Sequence, residues 1–511
     1  MPEIEELCIY SANRISLTVE PDPSVSHAVD RPMSRYLDLA TTLGSRIEQG
    51  LHAAGDRLPS VRTLSLEYGV SLTTVQQAYR WLEMSGLVEA RPRSGWYVPA
   101  ARRAPELPQM GKPNLRPTDV TDWGQVQDLL DLEREGETVQ LGRGMPDVDT
   151  PTLRPLQAAL AREGRHAGIA SLHYNDIQGV PALREQLARL AADAGYRATP
   201  DALIITTGCQ EALSCAVRVL CAPGDIVAIA SPSYHGMMQI LKEAGVQVFE
   251  IPCDPLQGIS LEALELALER WPVKAIQVIP NANNPLGYTM PQHRRLGLIR
   301  LAQRFDVPII EDDIYGDLAY GWPRPPALKA LDEDGRVLLC SSFSKTLAPG
   351  LRVGWIAPGR YFDKVLRMKY TNSGPTAPLP QIAVAEFLRK GHYPTHLRRM
   401  RRQYQRQRDI MTEWIRRYFP EGTRVSQPRG GFTLWVELPE LFDTHTLDPM
   451  LRDSGIVIAH GDIFSAAGKY RNCMRLSHAC AFDARTEWAV RRIGEAACAL
   501  LDPAAMERLR A

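Results

Sequence analysis

Tyr36, Ala40, Leu43 and Ile47 recur at three- and four-residue steps, which puts them on one face of a helix that stops near Gly50. Pro59-Ser60 then opens a short second helix, with Ser60 as N-cap and Val61, Leu64 and Leu66 as its apolar positions. Gly69-Val70-Ser71 predicts a tight turn, and Ser71 caps a third helix whose inward stripe is Val75, Tyr79 and Leu82. After Gly86, two short strands, Leu87 to Arg91 and Trp96 to Val98, flank Pro92-Arg93-Ser94-Gly95. Three helices followed by a hairpin predict a winged helix-turn-helix over residues 34–98.

The flanking segments read differently. Residues 1–33 carry no sustained period and form a loose N-terminal arm. Residues 99–137 set Pro99, Pro105, Pro108, Pro113 and Pro117 among polar residues, which predicts an extended linker. From 138 to 502 apolar runs alternate with helical stretches. Leu203 to Thr206, Ile226 to Ala230, Ala275 to Ile279, Val307 to Ile310 and Val337 to Cys340 read as buried parallel strands. Such alternation implies an α/β sheet covered on both faces. Beyond Tyr361 the chain turns helical and basic, then strand-like at Phe432 to Leu438 and Met474 to Ser477, which predicts a smaller α+β domain.

Composition narrows the function classes. The 511 residues suffice for about three domains, and 44% hydrophobic with 23% charged residues is ordinary for a globular chain. The formal net charge is zero, so nucleic-acid binding has to rest on a local feature. The N-terminus lacks a secretory pattern, and no apolar run reaches the roughly 18 residues that span a bilayer. The nine cysteines have no C-x-x-C pair, and evenly spaced Cys209, Cys215 and Cys221 lack nearby histidines. Reduced thiols in a cytoplasmic protein, with no membrane partner and no metal, are the expectation.

Four polar clusters stand at predicted strand ends, where α/β sheets place ligands. Thr207-Gly208-Cys209-Gln210 opens a helix, and the free N–H groups there cradle a phosphate. Asn284-Pro285-Leu286-Gly287, Glu311-Asp312-Asp313-Ile314-Tyr315 and Ser342-Phe343-Ser344-Lys345 follow, with Arg352 seven residues on. This ordered set resembles the fold-type-I, class I and II aminotransferases over residues 138–502. The resemblance implies a mostly parallel seven-stranded sheet and pyridoxal 5'-phosphate held as an imine on Lys345. It makes Lys345, Asp312 and Tyr315 catalytic, with Asp312 on the pyridine nitrogen and Tyr315 and Asn284 on the ring oxygen. Ser342, Ser344, Arg352 and the Gly208-Cys209-Gln210 turn take the phosphate, and Tyr234 stacks on the ring. Tyr174 reaches the neighbouring subunit's phosphate, which implies a homodimer. Arg475 grips a substrate carboxylate. Two departures are Cys209, where a small hydroxyl or alanine is usual and only the N–H is needed, and His460, in place of a common proline.

Residues 34–98 resemble the winged helix-turn-helix of the GntR superfamily, through Gly55-Asp56-Arg57-Leu58-Pro59-Ser60-Val61-Arg62 and Gly69-Val70-Ser71. The third helix then enters the major groove of double-stranded DNA with Ser71, Thr73, Thr74, Gln76, Gln77 and Arg80, while Arg62, Arg91 and Arg93 meet the backbone or minor groove. Leu72 and Gln76 stand where the superfamily often has arginines. A second basic run, Arg398 to Arg408, reads as a solvated helix face.

Head, linker and body together resemble the MocR/GabR-type regulators. That implies a transcriptional regulator sensing pyridoxal phosphate, or an amino acid or amine effector, through Lys345. The alternative is a working class I/II aminotransferase with an appended DNA-binding head.

Overall fold

The computed structural model describes residues 35–48, 51–53, 55–84, 87–91, 94–98, 105–120, 127, 138–166 and 173–501. The chain divides into two compact units, residues 1–100 and 101–511. Gly50, Gly86, Pro92 and Arg93 lie outside the described residues, as does the arm 1–33.

In the first unit, helices Arg35–Glu48, Val61–Tyr68 and Leu72–Met84 precede a hairpin of β1 (Glu89–Arg91) and β2 (Gly95–Tyr97). Both expected caps form: Ser60 Oγ accepts from Thr63 N at 3.2 Å, and Ser71 Oγ accepts from Thr74 N at 3.1 Å. Each satisfies a helix N–H that has no backbone partner. Val75, Tyr79 and Leu82 are buried with Leu43 and Leu64, and Trp96 stacks on Tyr79 at 5.1 Å. Leu66 departs from expectation at 86% exposed. It sits two positions from inward Leu64, about 200° round the helix, and so faces solvent.

The second unit is built on one eight-stranded sheet. Its strands are β4 (Ile204–Thr206), β5 (Ile226–Ser231), β6 (Gln247–Asp254), β7 (Gly258–Ile259), β8 (Val273–Val278), β9 (Ile309–Asp312), β10 (Val337–Ser342) and β11 (Gly354–Ala357). A two-residue β3 (Val139–Gln140) precedes them and pairs in parallel with β14 (Ile456–Val457). The order is β4-β11-β10-β9-β8-β5-β6-β7, parallel except at β11 and β7. The count of seven strands is thus corrected to eight. The extra strand is a short return: Asp254 Oδ1 accepts from Leu256 N and Gln257 N, folding the chain back at Gly258. Gly258 has φ +87, and a Cβ there would meet Tyr288 at 2.7 Å. Neither β6 nor antiparallel β11 was expected; β6 carries Glu250 and Pro252, which break the apolar run. Buried strands with helices on both faces account for the hydrophobic runs.

A smaller four-stranded sheet, in the order β12-β13-β16-β15, completes the body from β12 (Arg424–Val425), β13 (Thr433–Glu437), β15 (Ala459–His460) and β16 (Cys473–Ser477). Residues 105–120, from the expected linker, run along both sheets. Glu106 bridges to Arg424, Gln109 N donates to Glu437 at 2.8 Å, and Thr118 bridges to Val248 of β6. Proline leaves this segment extended, and its remaining backbone groups are free to pair sideways. It is a strap bonded to the large and the small lobe alike.

Candidate functional site

The strand ends converge on one cavity, lined by Cys209, Gln210, Tyr234, Asn284, Asp312, Tyr315, Ser342, Ser344, Lys345 and Arg352. Leu213, Ile279, Ile314 and Pro349 supply apolar wall that sequence reasoning did not single out.

Each strand delivers its residue for a local reason. Beyond β4, Gly208 caps helix Cys209–Leu220 at φ +80, and a Cβ on it would lie 2.5 Å from Arg352 Nη2. Glycine therefore lets the guanidinium close over the helix N-terminus, where Arg352 Nη2 donates to Thr207 O at 2.9 Å. Along β9 the side chains alternate. Glu311 accepts from Leu328 N and Lys329 N, and Asp313 pairs with Arg324 and Asn281, all away from the cavity. Only Asp312 reaches it. There it accepts from Ile314 N at 3.2 Å and from the Cys209 thiol at 3.6 Å. Cys209 thus contributes its side chain as well as its N–H, a correction to the expectation that only the N–H mattered.

β10 runs parallel to β9 with Cys340 opposite Asp312, so Ser342, Ser344 and Lys345 emerge just past that carboxylate. Lys345 Nζ donates to Gly144 O at 2.6 Å. Burial, reinforced by the charge of Arg475, lowers its pKa to about 8, while burial raises Asp312 to about 7. A neutral amine, the nucleophilic form, is therefore accessible near neutrality. Cofactor addition to the cofactor-free protein is expected to speed up as pH rises through about 8 and then level off. Stopped-flow absorbance checks this; an unperturbed lysine would keep accelerating toward about 10.4.

Arg475, on β16 opposite Trp435 and Ala459, is buried. Its Nη1 donates to Asn284 Oδ1 at 3.2 Å, its Nη2 donates to Gly142 O, and its guanidinium lies 5.0 Å from the Phe464 ring centre. A Cβ on Gly142 would meet Ile458 C at 2.6 Å, so only glycine brings that carbonyl so close. Tyr315 packs edge-on against Phe432, and Gln210 Nε2 donates to Tyr234 OH at 2.8 Å. His235, overlooked in the sequence, lies between Tyr234 and Phe464; burial and the charges of Arg475 and Lys345 drop its pKa to about 3, keeping it neutral. Its signal was the Ser231-Pro232-Ser233-Tyr234-His235 string after β5. Tyr174 is 94% exposed and is not among the residues lining this cavity.

The donor set suits a phosphorylated pyridine aldehyde. Arg352, Ser342, Ser344 and the helix N-terminus could take an anion at one end, and Asp312 could meet a ring nitrogen. Lys345 presents the amine.

In the first unit, Thr73, Gln76, Gln77 and Arg80 are exposed on helix Leu72–Met84, opposite its buried stripe; the capping Ser71 before it is exposed too, and Thr74 is half-buried. Arg62 is exposed as well. Arg91 is engaged on its own wing, 2.7 Å from Glu89 and 4.3 Å from the Tyr97 ring centre. Arg93 lies outside the described residues.

Residues 137–493 match the family of aminotransferases class I and II, and residues 35–98 match the bacterial regulatory proteins of the gntR family. The chain is 50% identical to the HTH-type transcriptional regulator YjiR of Escherichia coli (strain K12), covering 91% of this chain and 99% of that protein. This chain belongs to the MocR-type HTH transcriptional regulators. It is 29% identical to the probable rhizopine catabolism regulatory protein MocR of Rhizobium meliloti, over 84% of this chain and 86% of that one. The body of this MocR-type regulator is similar to LysN, the α-aminoadipate aminotransferase of Thermus thermophilus. The TM-score is 0.68 at 30% identity, covering 74% of this chain and 95% of that one, and that structure holds N-(5'-phosphopyridoxyl)-L-leucine. The regulator binds DNA through its gntR-type head, and its cofactor is pyridoxal phosphate. No helix among the described residues is long and apolar enough to cross a membrane.

Proposed function

We propose that this regulator reads an amino acid or related amine in the Lys345 cavity and converts its presence into a change in operator affinity. It would do so in the cytoplasm, as a homodimer on double-stranded DNA. The observation that carries the reading is the pairing of Lys345, an amine with a lowered pKa, with Arg475, a buried guanidinium whose charge is felt at Lys345. An amine and a carboxylate on one small molecule would engage the two ends of that arrangement.

When bound, the cofactor supplies an electrophilic carbon that condenses with amines and a ring that draws electrons from the attached group. The protein does the rest. Lys345 provides the amine and then carries the proton. Asp312, with Cys209 and Ile314 N on its oxygens, holds the proton at the ring nitrogen. Tyr315 and Asn284 orient the ring oxygen, and Tyr234 covers its face. Arg352, Ser342, Ser344 and the Gly208-Cys209-Gln210 turn take the phosphate charge. Exposed Tyr174 is free to serve a second copy of the chain.

The strap supplies the route to the head. Residues 105–120 are tied to β12 and β13 of the small lobe and to β6 of the large one. Asn114 Nδ2 donates to Glu250 Oε2 at 3.1 Å. Buried Glu250 also accepts from Ser231 Oγ at 3.1 Å and from Ala466 N at 2.9 Å. Ser231 precedes Tyr234 by three residues, and Ala466 follows Phe464 by two. Any shift of the small lobe toward the cavity therefore bears on the segment that leads to the head. A ligand that favours one lobe arrangement biases whatever the strap favours.

The test is thermal unfolding of the cofactor-loaded protein with a panel of amines, amino acids and plain carboxylates. Compounds with both groups should raise Tm in proportion to ln(1 + [L]/Kd), and simple carboxylates should not. Identical shifts for both classes contradict the reading. The complete set of Lys345, Asp312 and Arg475 also suits transamination, and steady-state keto-acid release from an amino acid would favour that alternative.

A further inference from the structure

The small lobe holds a second cluster of ionisable groups, none of which lines the cavity. His445 lies on the turn Thr444–Leu447, Asp448 opens helix Asp448–Asp453, His460 ends β15, and Asp462 follows in the turn Gly461–Phe464. Donor atoms of His445, Asp448 and His460 all lie within 4.8 Å of one another. His445 Nδ1 is 3.5 Å from Asp448 Oδ2, and His460 Nε2 is 2.9 Å from Asp448 Oδ1. The two imidazoles stack with centres 4.0 Å apart.

The outward nitrogens decide how this cluster reads. His445 Nε2 is 2.9 Å from Asp462 Oδ2, and His460 Nδ1 is 2.9 Å from Thr444 Oγ1. A histidine that ligates a metal uses one ring nitrogen and gives the other N–H to an oxygen, which fixes tautomer and ring orientation. Both histidines have such an outer oxygen partner, and each points its other nitrogen at the same carboxylate, where an ion would take the place of the bonding proton. With one ligand atom from each residue within 4.8 Å of the others, the three groups are close enough to converge on a single ion with bonds of about 2.0 Å after small side-chain adjustments. Two nitrogens and one carboxylate oxygen make a borderline donor set, with a fourth position left for water.

We infer that His445, Asp448 and His460 bind a divalent transition-metal ion of the zinc class, with Asp462 and Thr444 orienting the two imidazoles. The competing occupant is the proton through which each imidazole nitrogen facing Asp448 can bond that carboxylate. Metal binding displaces that proton, so affinity rises with pH. A bound ion would also stiffen the segment that faces the main cavity. Ala459 pairs with Arg475, His460 pairs with Met474, and the turn after His460 delivers Phe464 to the Arg475 guanidinium. This last consequence rests on the proposed role of Arg475; metal binding itself does not.

The test uses the full-length protein, stripped with chelator and titrated with Co²⁺ and then Zn²⁺. One Co²⁺ per chain with the strong visible bands of four-coordination, displaced by one Zn²⁺, is expected. Asp448→Asn and His460→Gln should each abolish the bands. Asp462→Asn should weaken binding roughly 10- to 100-fold. Lys345→Ala should leave the stoichiometry at one, which separates this site from the cofactor cavity. Absence of four-coordinate Co²⁺ in the unmodified protein overturns the inference. So does its persistence in folded Asp448→Asn and His460→Gln proteins, judged by circular dichroism; persistence would place the ion on other groups, such as cysteine thiols.

Discussion

Lys345→Ala protein, loaded with excess cofactor and then desalted, is expected to emerge colourless, while the unmodified protein keeps its colour. Among the described residues Lys345 is the one lysine lining the cavity, and its pKa of about 8 makes it a ready nucleophile. Alanine leaves the anion cradle of Arg352, Ser342 and Ser344 in place, so the cofactor still binds, but reversibly. A loss of two orders of magnitude in affinity, about 3 kcal/mol, is expected from the missing covalent bond alone. Borohydride treatment followed by peptide mapping should find the added mass on the Lys345 peptide of the unmodified protein, and on no peptide of the variant. Lys345→Arg keeps the charge without a usable nucleophile and should fail equally. Retention of colour by either folded variant would move the attachment elsewhere.

The second large effect is expected at Arg475. Arg475→Met keeps most of the side-chain volume over Phe464 while removing the buried cation. Truncating one partner of a buried, hydrogen-bonded charge pair costs about 2–5 kcal/mol, or roughly 30- to several-thousand-fold in affinity. The loss should fall on effectors that carry a carboxylate and spare amines that lack one. Calorimetric titration of both classes into the cofactor-loaded variant measures this directly. Equal loss for both would mean that Arg475 acts by holding Gly142 and Asn284, to which it also donates.

How much of this was legible in the sequence follows from physical range. The cavity residues stood out because the chemistry demands particular groups at strand ends, and each cluster sits within a few residues of a buried apolar run. Asp312 was told from Glu311 and Asp313 by the family resemblance alone, since the strand that carries it is buried throughout. Caps at Ser60 and Ser71 are local, and the structure forms both. What the sequence hid were features set by partners distant along the chain. β6 carries Glu250, which is tolerable in a buried strand only because Ser231, Ala466, Asn114 and Lys469 surround it. Proline-rich residues 105–120 looked like free linker because their partners at Val248, Arg424 and Glu437 lie more than a hundred residues away. Leu66 is apolar yet exposed, since one helix turn cannot bury both Leu64 and its neighbour two positions on. His445 and His460 meet only because the chain folds back between them, and neither carries a local signature.

The central claim is that the cavity and the DNA-binding head respond to one ligand. It is tested most directly by a single titration of the cofactor-loaded protein with an effector amine. Cofactor absorbance and binding to a fluorescent DNA fragment, selected from random sequence by the protein's own head, are followed in the same cuvette. The two signals are predicted to change together with one midpoint, and by linkage the presence of DNA should shift the effector midpoint by the same factor that the effector shifts DNA affinity. A spectral change that saturates while DNA affinity stays constant would contradict the account.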